Sequence, residues 1–382
     1  MPKTVVKLTL AELLDSLTGE GELYERLPDK KLRCYACGHR CLILPGQRGI
    51  CKVRFNEAGT LRVPYGYIGA LQCDPTEKKP FFHVFPGSDT LTFGMLGCDF
   101  HCSYCQNWVA SQALRDPAAG TDIGPITAEL LVSLAQQRGA RMVASSYNEP
   151  LITAEWAVSV FRPAKAAGFR CAFVSNGNAT AETLDYIRPY TDCYKVDLKS
   201  MSDRGYRSLG GVLQHVLDTI AMVVQRGFWC EVVTLLVPGF NDSETELRSA
   251  AEYLVSVSAD IPWHVTAFHK DYKLTRPDNT TARQLSRAAE IGYEAGLRYV
   301  YAGNLPGGVG PYENTYCPGC KTVLVERYGY RILRNRLQEA AACPDCGTRI
   351  AGIWSDGPQG IGEIEHDTVH PFPPRLGERG RG

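Results

Sequence analysis

The chain has 382 residues, 44% of them hydrophobic, and its 41 Lys and Arg balance 41 Asp and Glu to a formal net charge of zero. That is a globular composition, long enough for one large core or two to three domains, and it excludes a largely disordered or fibrous chain. The charge balance withholds the net basic surface of a histone-like or tail-type nucleic-acid binder, so nucleic acid is not an expected partner.

The distinctive count is 15 cysteines, an odd number that rules out complete internal disulfide pairing. The segment Met1–Leu17 is charged throughout and lacks a signal-peptide pattern. No stretch reaches the roughly 20 apolar residues of a membrane helix. A reducing, cytoplasmic location without membrane contact is therefore expected, with the cysteines acting as metal ligands, reactive thiols or small core residues.

Residues 1–90 read as an N-terminal cysteine-containing module. Cys34-x2-Cys37-x3-Cys41, with Cys51 beyond, supplies four thiolates. Zinc, or a structural role, is the first reading; an auxiliary iron–sulfur cluster able to relay electrons is the second, because thiolates serve either metal.

Strand and helix patterns then alternate. Strand runs start at Leu91 (LTFGML), Arg141 (RMVASSY), Cys171 (CAFVSN), Cys193 (CYKVDL), Phe228 (FWCEVVTLLV), Trp263 (WHVTAF) and Leu297 (LRYVYAG). Amphipathic helical stretches separate them, several ending in Gly. Repeated strand–helix units imply right-handed crossovers and a mainly parallel sheet. The prediction is an α/β fold, an incomplete (β/α) barrel over residues 91–310. Cys171, Cys193 and Cys230 fall in apolar runs and read as core; Cys73 has no assigned role.

GCDFHCSYCQNW, just after the first of these strands, places Cys98, Cys102 and Cys105 in one short loop. Three thiolates hold three irons of a cubane and leave the fourth iron open to chelate a small molecule through an amine and a carboxylate. The competing readings are a zinc site completed by His101 or a distant residue, and unligated loop thiols. Further on, residues 311–365 carry two Cys-x2-Cys knuckles, Cys317/Cys320 and Cys343/Cys346, around a strand-like segment. That spacing predicts a zinc-ribbon-like module, with rubredoxin-like iron as the chemical alternative. Residues 366–382 read as a flexible tail.

Cys-x3-Cys-x2-Cys with an aromatic, here Tyr104, beside the last cysteine resembles the radical S-adenosylmethionine (SAM) superfamily. More narrowly, CYACGHRC, RGICKVR, DPTEKKPFFH, GCDFHCSYCQNW, SYNEP, VSNGN, YKVDLK and FHKDY resemble the radical SAM enzyme family of the AmmeMemoRadiSam system. That family is related to the glycyl-radical-enzyme activating enzymes of pyruvate formate-lyase type. The resemblance implies a [4Fe-4S] cluster on Cys98, Cys102 and Cys105 that binds SAM and cleaves it reductively, after which hydrogen is abstracted from a peptide, protein or small molecule.

The same resemblance implies SAM-site roles for Tyr104, Asn148, Glu149, Ser175, Asn176, Asp197, Lys199 and His269. Tyr147-Asn148-Glu149-Pro150 stands where the activating enzymes usually carry Gly-Gly-Glu-Pro. Asp197 and Lys199, two apart, share a side if extended. His264 and His269, five apart, fall on opposite faces, with His269 the ligand candidate and His264 the structural one. The chemistry implies a single-electron donor such as flavodoxin or ferredoxin, and the family's name implies a functional link to AMMECR-type and Memo-type proteins. Two rival readings stand beside this one. The first is a glycyl radical enzyme activating enzyme. The second is a nonenzymatic metal-binding interaction protein built on the terminal cysteine groups.

Overall fold

The computed structural model describes residues 9–120, 122–337, 340–356, 361–362 and 364. The expected tail lies outside them. Eight strands form one sheet in sequential order: β1 (Ala70–Pro75), β2 (Asp89–Gly94), β3 (Met142–Ser145), β4 (Arg170–Ser175), β5 (Cys193–Asp197), β6 (Trp229–Leu236), β7 (Trp263–Ala267) and β8 (Val300–Gly303). Strands β2 to β8 are parallel, and β1 pairs antiparallel with β2, Ala70 facing Gly94 and Pro75 facing Asp89. All seven predicted strands are present. The edges β1 and β8 do not pair, so the barrel is open, yet Gln72 and Tyr301 from the two edges line one cavity. The sheet is therefore strongly curved.

Helices α1 (Ala128–Gln137), α2 (Ala154–Ala166), α3 (Ala181–Ile187), α4 (Asp203–Leu209), α5 (Leu213–Gln225), α6 (Glu244–Val257) and α7 (Ala282–Glu294) fill the crossovers. Thr127, Thr180, Ser243 and Thr281 cap α1, α3, α6 and α7, each side-chain oxygen accepting from the backbone N–H three residues on. These caps satisfy donors that the first turn cannot pair internally.

The strand pleat divides the interior in two. Outward residues such as Val143, Phe173, Val196 and Val232 join the core beneath the helices, against Phe161, Ile220 and Leu254. Inward residues Met142, Ala172, Cys193 and Trp229 pack with Phe81, Phe82 and Phe85, and with Leu324, Ile350 and Trp354 from the C-terminal module. The run Phe81–Phe85 is thus a plug inside the curved sheet. Each fully buried aromatic there contributes about 1.5–3 kcal/mol. The plug is tied to the C-terminal segment through Phe85 N–H to Ile353 O at 2.8 Å and Ile353 N–H to His83 O at 2.7 Å.

The C-terminal module is a three-stranded antiparallel sheet, Thr315–Tyr316 just before the first cysteine knuckle and Val323–Tyr328 and Arg331–Asn335 between the two. Its buried Arg327 donates to Phe82 O at 2.8 Å and Thr315 Oγ1 at 2.7 Å. The N-terminal region combines a short helix, Leu10–Ser16, with short antiparallel strands, and docks on α2 by a buried pair: Arg54 Nη1 and Nη2 each lie 2.7 Å from a Glu155 oxygen. The main sheet begins at Ala70, upstream of the boundary expected at residue 91, because an antiparallel edge strand needs no helical crossover to announce it. Among the described residues, no helix is long and apolar enough to cross a membrane.

Candidate active site

The loop after β2 carries Cys98, Cys102 and Cys105. Its path is held by backbone capture: Asn148 Oδ1 accepts from Met95 N–H at 3.0 Å, and Arg115 Nη1 donates to Cys98 O at 2.6 Å and Phe100 O at 2.8 Å. His101 N–H donates to Leu209 O at the end of α4. Gly210 follows with φ of +84°, and a Cβ there would stand 2.5 Å from the His101 ring, so this close approach requires glycine. Cys105 Sγ lies 3.2 Å from Ser111 Oγ.

Burial pushes all three thiols up: Cys98 well above its usual range, with Asp99 and Glu149 adding to it, Cys102 to about 12, and Cys105 less. They are protonated until a metal displaces the protons. Among the described residues, only Cys317, Cys320, Cys343 and Cys346 bring three or more ligand atoms within 4.8 Å of one another. The central sulfurs are spaced more widely than a single ion requires. That fits a cubane, in which each thiolate binds its own iron.

Cys102, Tyr104 and Cys105 open onto a cavity of about 640 Å³ that Asp197 and Lys199 also line. Lys195, Asp197 and Lys199 succeed one another at intervals of two along and just beyond β5, which brings them to the same side. Asp197 accepts from Lys199 Nζ at 3.1 Å and pairs through its other oxygen with Lys195. Burial alone would raise Asp197, but Lys195 and Lys199 hold it down at about 2. Burial likewise opposes the Lys199 charge, and Asp197 and Cys102 outweigh it. The Tyr104 hydroxyl is buried without a partner, and its ring packs on Phe240 at 5.7 Å.

Asn148, Glu149, Ser175 and Asn176 sit elsewhere, beneath Cys98. Glu149, 2% exposed, accepts from Ser175 Oγ and Asn176 N–H at 2.7 Å and from Leu151 N–H at 3.1 Å. Burial and the nearby Asp99 hold its carboxyl above the usual range. Asn176 Nδ2 donates to Asp99 Oδ1 at 2.7 Å and approaches Cys98 Sγ at 4.0 Å. These four residues brace the cysteine loop and do not line the cavity. His269 is exposed and outside it as well. Strand β7 ends at Ala267, so alternation no longer orients His269. His264 is the histidine in the cavity, with Nε2 at 2.7 Å from Glu231 Oε2.

Two residues, Lys79 in the cavity lining and Glu231 buried behind it, were not apparent in the sequence. Lys79 Nζ donates to Asp74 Oδ2 at 3.2 Å and Tyr147 OH at 3.0 Å, joining β1 to the turn after β3. Glu231 accepts from Phe82 N–H and His83 N–H, both at 3.0 Å, and from Trp229 Nε1 at 2.9 Å. A glutamate inside the apolar run FWCEVV was the available signal for it.

In the C-terminal module, Cys317 and Cys346 sulfurs lie 3.5 Å apart and Cys320 and Cys343 sulfurs 3.6 Å, a ready four-sulfur site for one tetrahedral ion. The N-terminal four are not gathered to that spacing, although Cys34 N–H donates to Cys41 O at 2.9 Å.

Residues 93–249 match the Radical SAM superfamily. An uncharacterized protein of Methanocaldococcus jannaschii is 34% identical over 334 residues, 87% of this chain and 98% of the relative. Pyruvate formate-lyase-activating enzyme of Clostridium pasteurianum is 25% identical over 209 residues, 50% of this chain and 83% of that enzyme. A crystal structure of a domain of pyruvate-formate lyase-activating enzyme from Bacteroides vulgatus covers 43% of this chain and 99% of its own. It aligns at 19% identity with a TM-score of 0.38.

Proposed function

This chain belongs to the radical SAM superfamily, and on that premise we propose that Cys98, Cys102 and Cys105 hold a [4Fe-4S] cluster at which SAM is cleaved for hydrogen abstraction from a substrate in the adjoining cavity. One observation carries this reading: Cys102 and Cys105 open onto the same cavity as the charged residues at the end of β5. The C-terminal ends of parallel strands are where barrel folds place their chemistry. When bound, the cluster supplies the electron that breaks the SAM carbon–sulfur bond.

The chain's own residues do the rest. Lys199 keeps its proton and presents an ammonium to the SAM carboxylate. Asp197 stays ionised and accepts from the SAM hydroxyls or amine. Tyr104, lacking a protein partner, offers its hydroxyl beside Cys102. Glu149, Ser175, Asn176 and Asn148 fix the loop so that Cys98 reaches its iron, and so act as positioning residues. The apolar plug below excludes water from the reacting centre. A one-electron donor of the flavodoxin or ferredoxin class completes the requirement. Cys317, Cys320, Cys343 and Cys346 bind zinc, which helps fold a module with little core of its own. The link to AMMECR-type and Memo-type proteins and the cytoplasmic location belong to the same reading.

The substrate remains a peptide, protein or small molecule. Activation of a glycyl radical enzyme is the second reading, and the similarity to the Clostridium pasteurianum activating enzyme favours it. It requires a peptide loop to enter past Asn304 and Tyr330, which line the cavity. The test is anaerobic. Reduced protein with SAM is expected to yield methionine and 5′-deoxyadenosine in equal amounts, and to lose both on replacing Cys98, Cys102 or Cys105 by alanine. An intact, reduced cluster that leaves SAM whole overturns the proposal.

A further inference from the structure

We infer that Cys34, Cys37, Cys41 and Cys51 hold a second [4Fe-4S] cluster, seated against the Cys98 loop and placed to pass it one electron. The inference rests on the reading that the Cys98 loop itself carries a cluster. Cys34, Cys37 and Cys51 are 5–6% exposed and Cys41 is half-buried, so all four thiols face the interior of one small module. Their spacing separates them from the C-terminal four. Those four meet the close spacing of a single tetrahedral ion; the N-terminal four do not, although Cys34 and Cys41 are bonded neighbours. A cubane, with one thiolate per iron, takes the wider arrangement.

A second observation is Arg54, 1% exposed. Its Nη1 and Nη2 are taken by Glu155 and Ile152 O, while Nε is buried without a partner. Arg54 O accepts from Gly49 N–H at 2.8 Å, and a Cβ on Gly49 would stand 3.7 Å from both Arg54 O and Cys41 Sγ, which sets Arg54 against the cysteine group. An unpartnered N–H there is a donor for a cluster sulfur.

The module is clamped to the catalytic loop at three points. Arg115 donates to Cys98 O through Nη1 and to Ile50 O through Nη2, both at 2.6 Å. Gly97, at φ of +99°, lies so close to Val53 and Cys51 O that a Cβ would stand 2.9 and 3.3 Å from them. Asp99 accepts from Asn178 Nδ2 at 2.8 Å, and Asn178 O accepts from Gly38 N–H at 2.8 Å. Asp99 also lies 3.8 Å from Cys98 Sγ through Oδ1 and 3.9 Å from His39 Nε2 through Oδ2, so one carboxylate spans the catalytic loop and the Cys37–Cys41 segment. The step is a transfer of one electron. The N-terminal cluster, reduced from 2+ to 1+ by a flavodoxin- or ferredoxin-class donor, returns to 2+ as the Cys98 cluster goes from 2+ to 1+. No bond or proton changes place.

Iron, sulfide and zinc are counted in protein purified anaerobically and not reconstituted, both native and with Cys98→Ala, Cys102→Ala and Cys105→Ala combined. The native chain is expected to hold about eight irons and the variant about four, with a [4Fe-4S] signature surviving in its reduced EPR spectrum. Zinc stays at about one per chain in both. A variant without iron and with about two zincs overturns the inference. If the native chain then holds about four irons, the catalytic reading survives alone. If a folded native chain holds no iron, both fail.

Discussion

At the scale of single residues, the site depends on charges whose protonation is set by their neighbours. Lys199 and Asp197 hold each other ionised beside Cys102. Loss of a charge-assisted hydrogen bond costs about 1.5–3 kcal/mol, so Lys199→Met is expected to weaken SAM binding roughly 10- to 100-fold. Equilibrium dialysis with labelled SAM checks this, and an unchanged affinity would remove Lys199 from the site. This pair was legible in YKVDLK because a period of two survives to the end of a strand. His269 lay beyond such an end, and there the rule ceased to apply. Lys195 was hidden inside an apolar run. Only the cavity on one side of β5 explains a lysine there, and its charge is balanced by Asp197.

At the scale of elements, the Phe81–Phe85 plug depends on one carboxylate. Glu231 is fully buried and accepts four hydrogen bonds, from Phe82, His83, Trp229 and His264. Glu231→Gln turns an amide N–H donor toward donors and is expected to cost about 2–3 kcal/mol in chemical denaturation; a neutral result would mean that the plug is held by packing alone. The same element carries a pH dependence. His83 is buried against Ala351 O and Tyr301 OH, and burial lowers it from 6.5 to about 4. Its protonation is disfavoured in the folded chain. Its contribution is therefore complete above about pH 6.5 and is lost progressively as pH falls towards about 4. Melting temperature against pH is expected to fall through that window, and to fall less steeply in His83→Gln. The sequence disclosed the seven parallel strands through their composition and the helices through period and caps. It did not disclose α4: Ser202 caps it and Gly210 ends it, but seven residues containing Gly205 are too few for periodicity to register. Nor did it reveal that PFFH would fill the sheet, because an apolar run does not state its partner.

At the scale of the whole molecule, the barrel interior is completed by parts far apart in the chain. The C-terminal module shares a core with the plug and with inward residues of β3 to β6 and β8. The partial-barrel class was readable because alternating elements leave few topologies. The docking of the C-terminal module was not, since knuckle spacing reports a metal and is silent about the surface that the module covers. Cys320→Ser with Cys343→Ser is expected to remove zinc, lower the melting temperature and leave iron content unchanged. Iron lost together with zinc would contradict the assignment of separate sites. The central claim is that the Cys98 loop leaves one iron open for SAM. Pulsed hyperfine spectroscopy of the reduced protein with SAM labelled by ¹⁵N in the amino group and ¹⁷O in the carboxylate reads that bond directly. The account predicts coupling from both labels, absent in Cys98→Ala; a reduced cluster showing neither coupling at saturating SAM would contradict it.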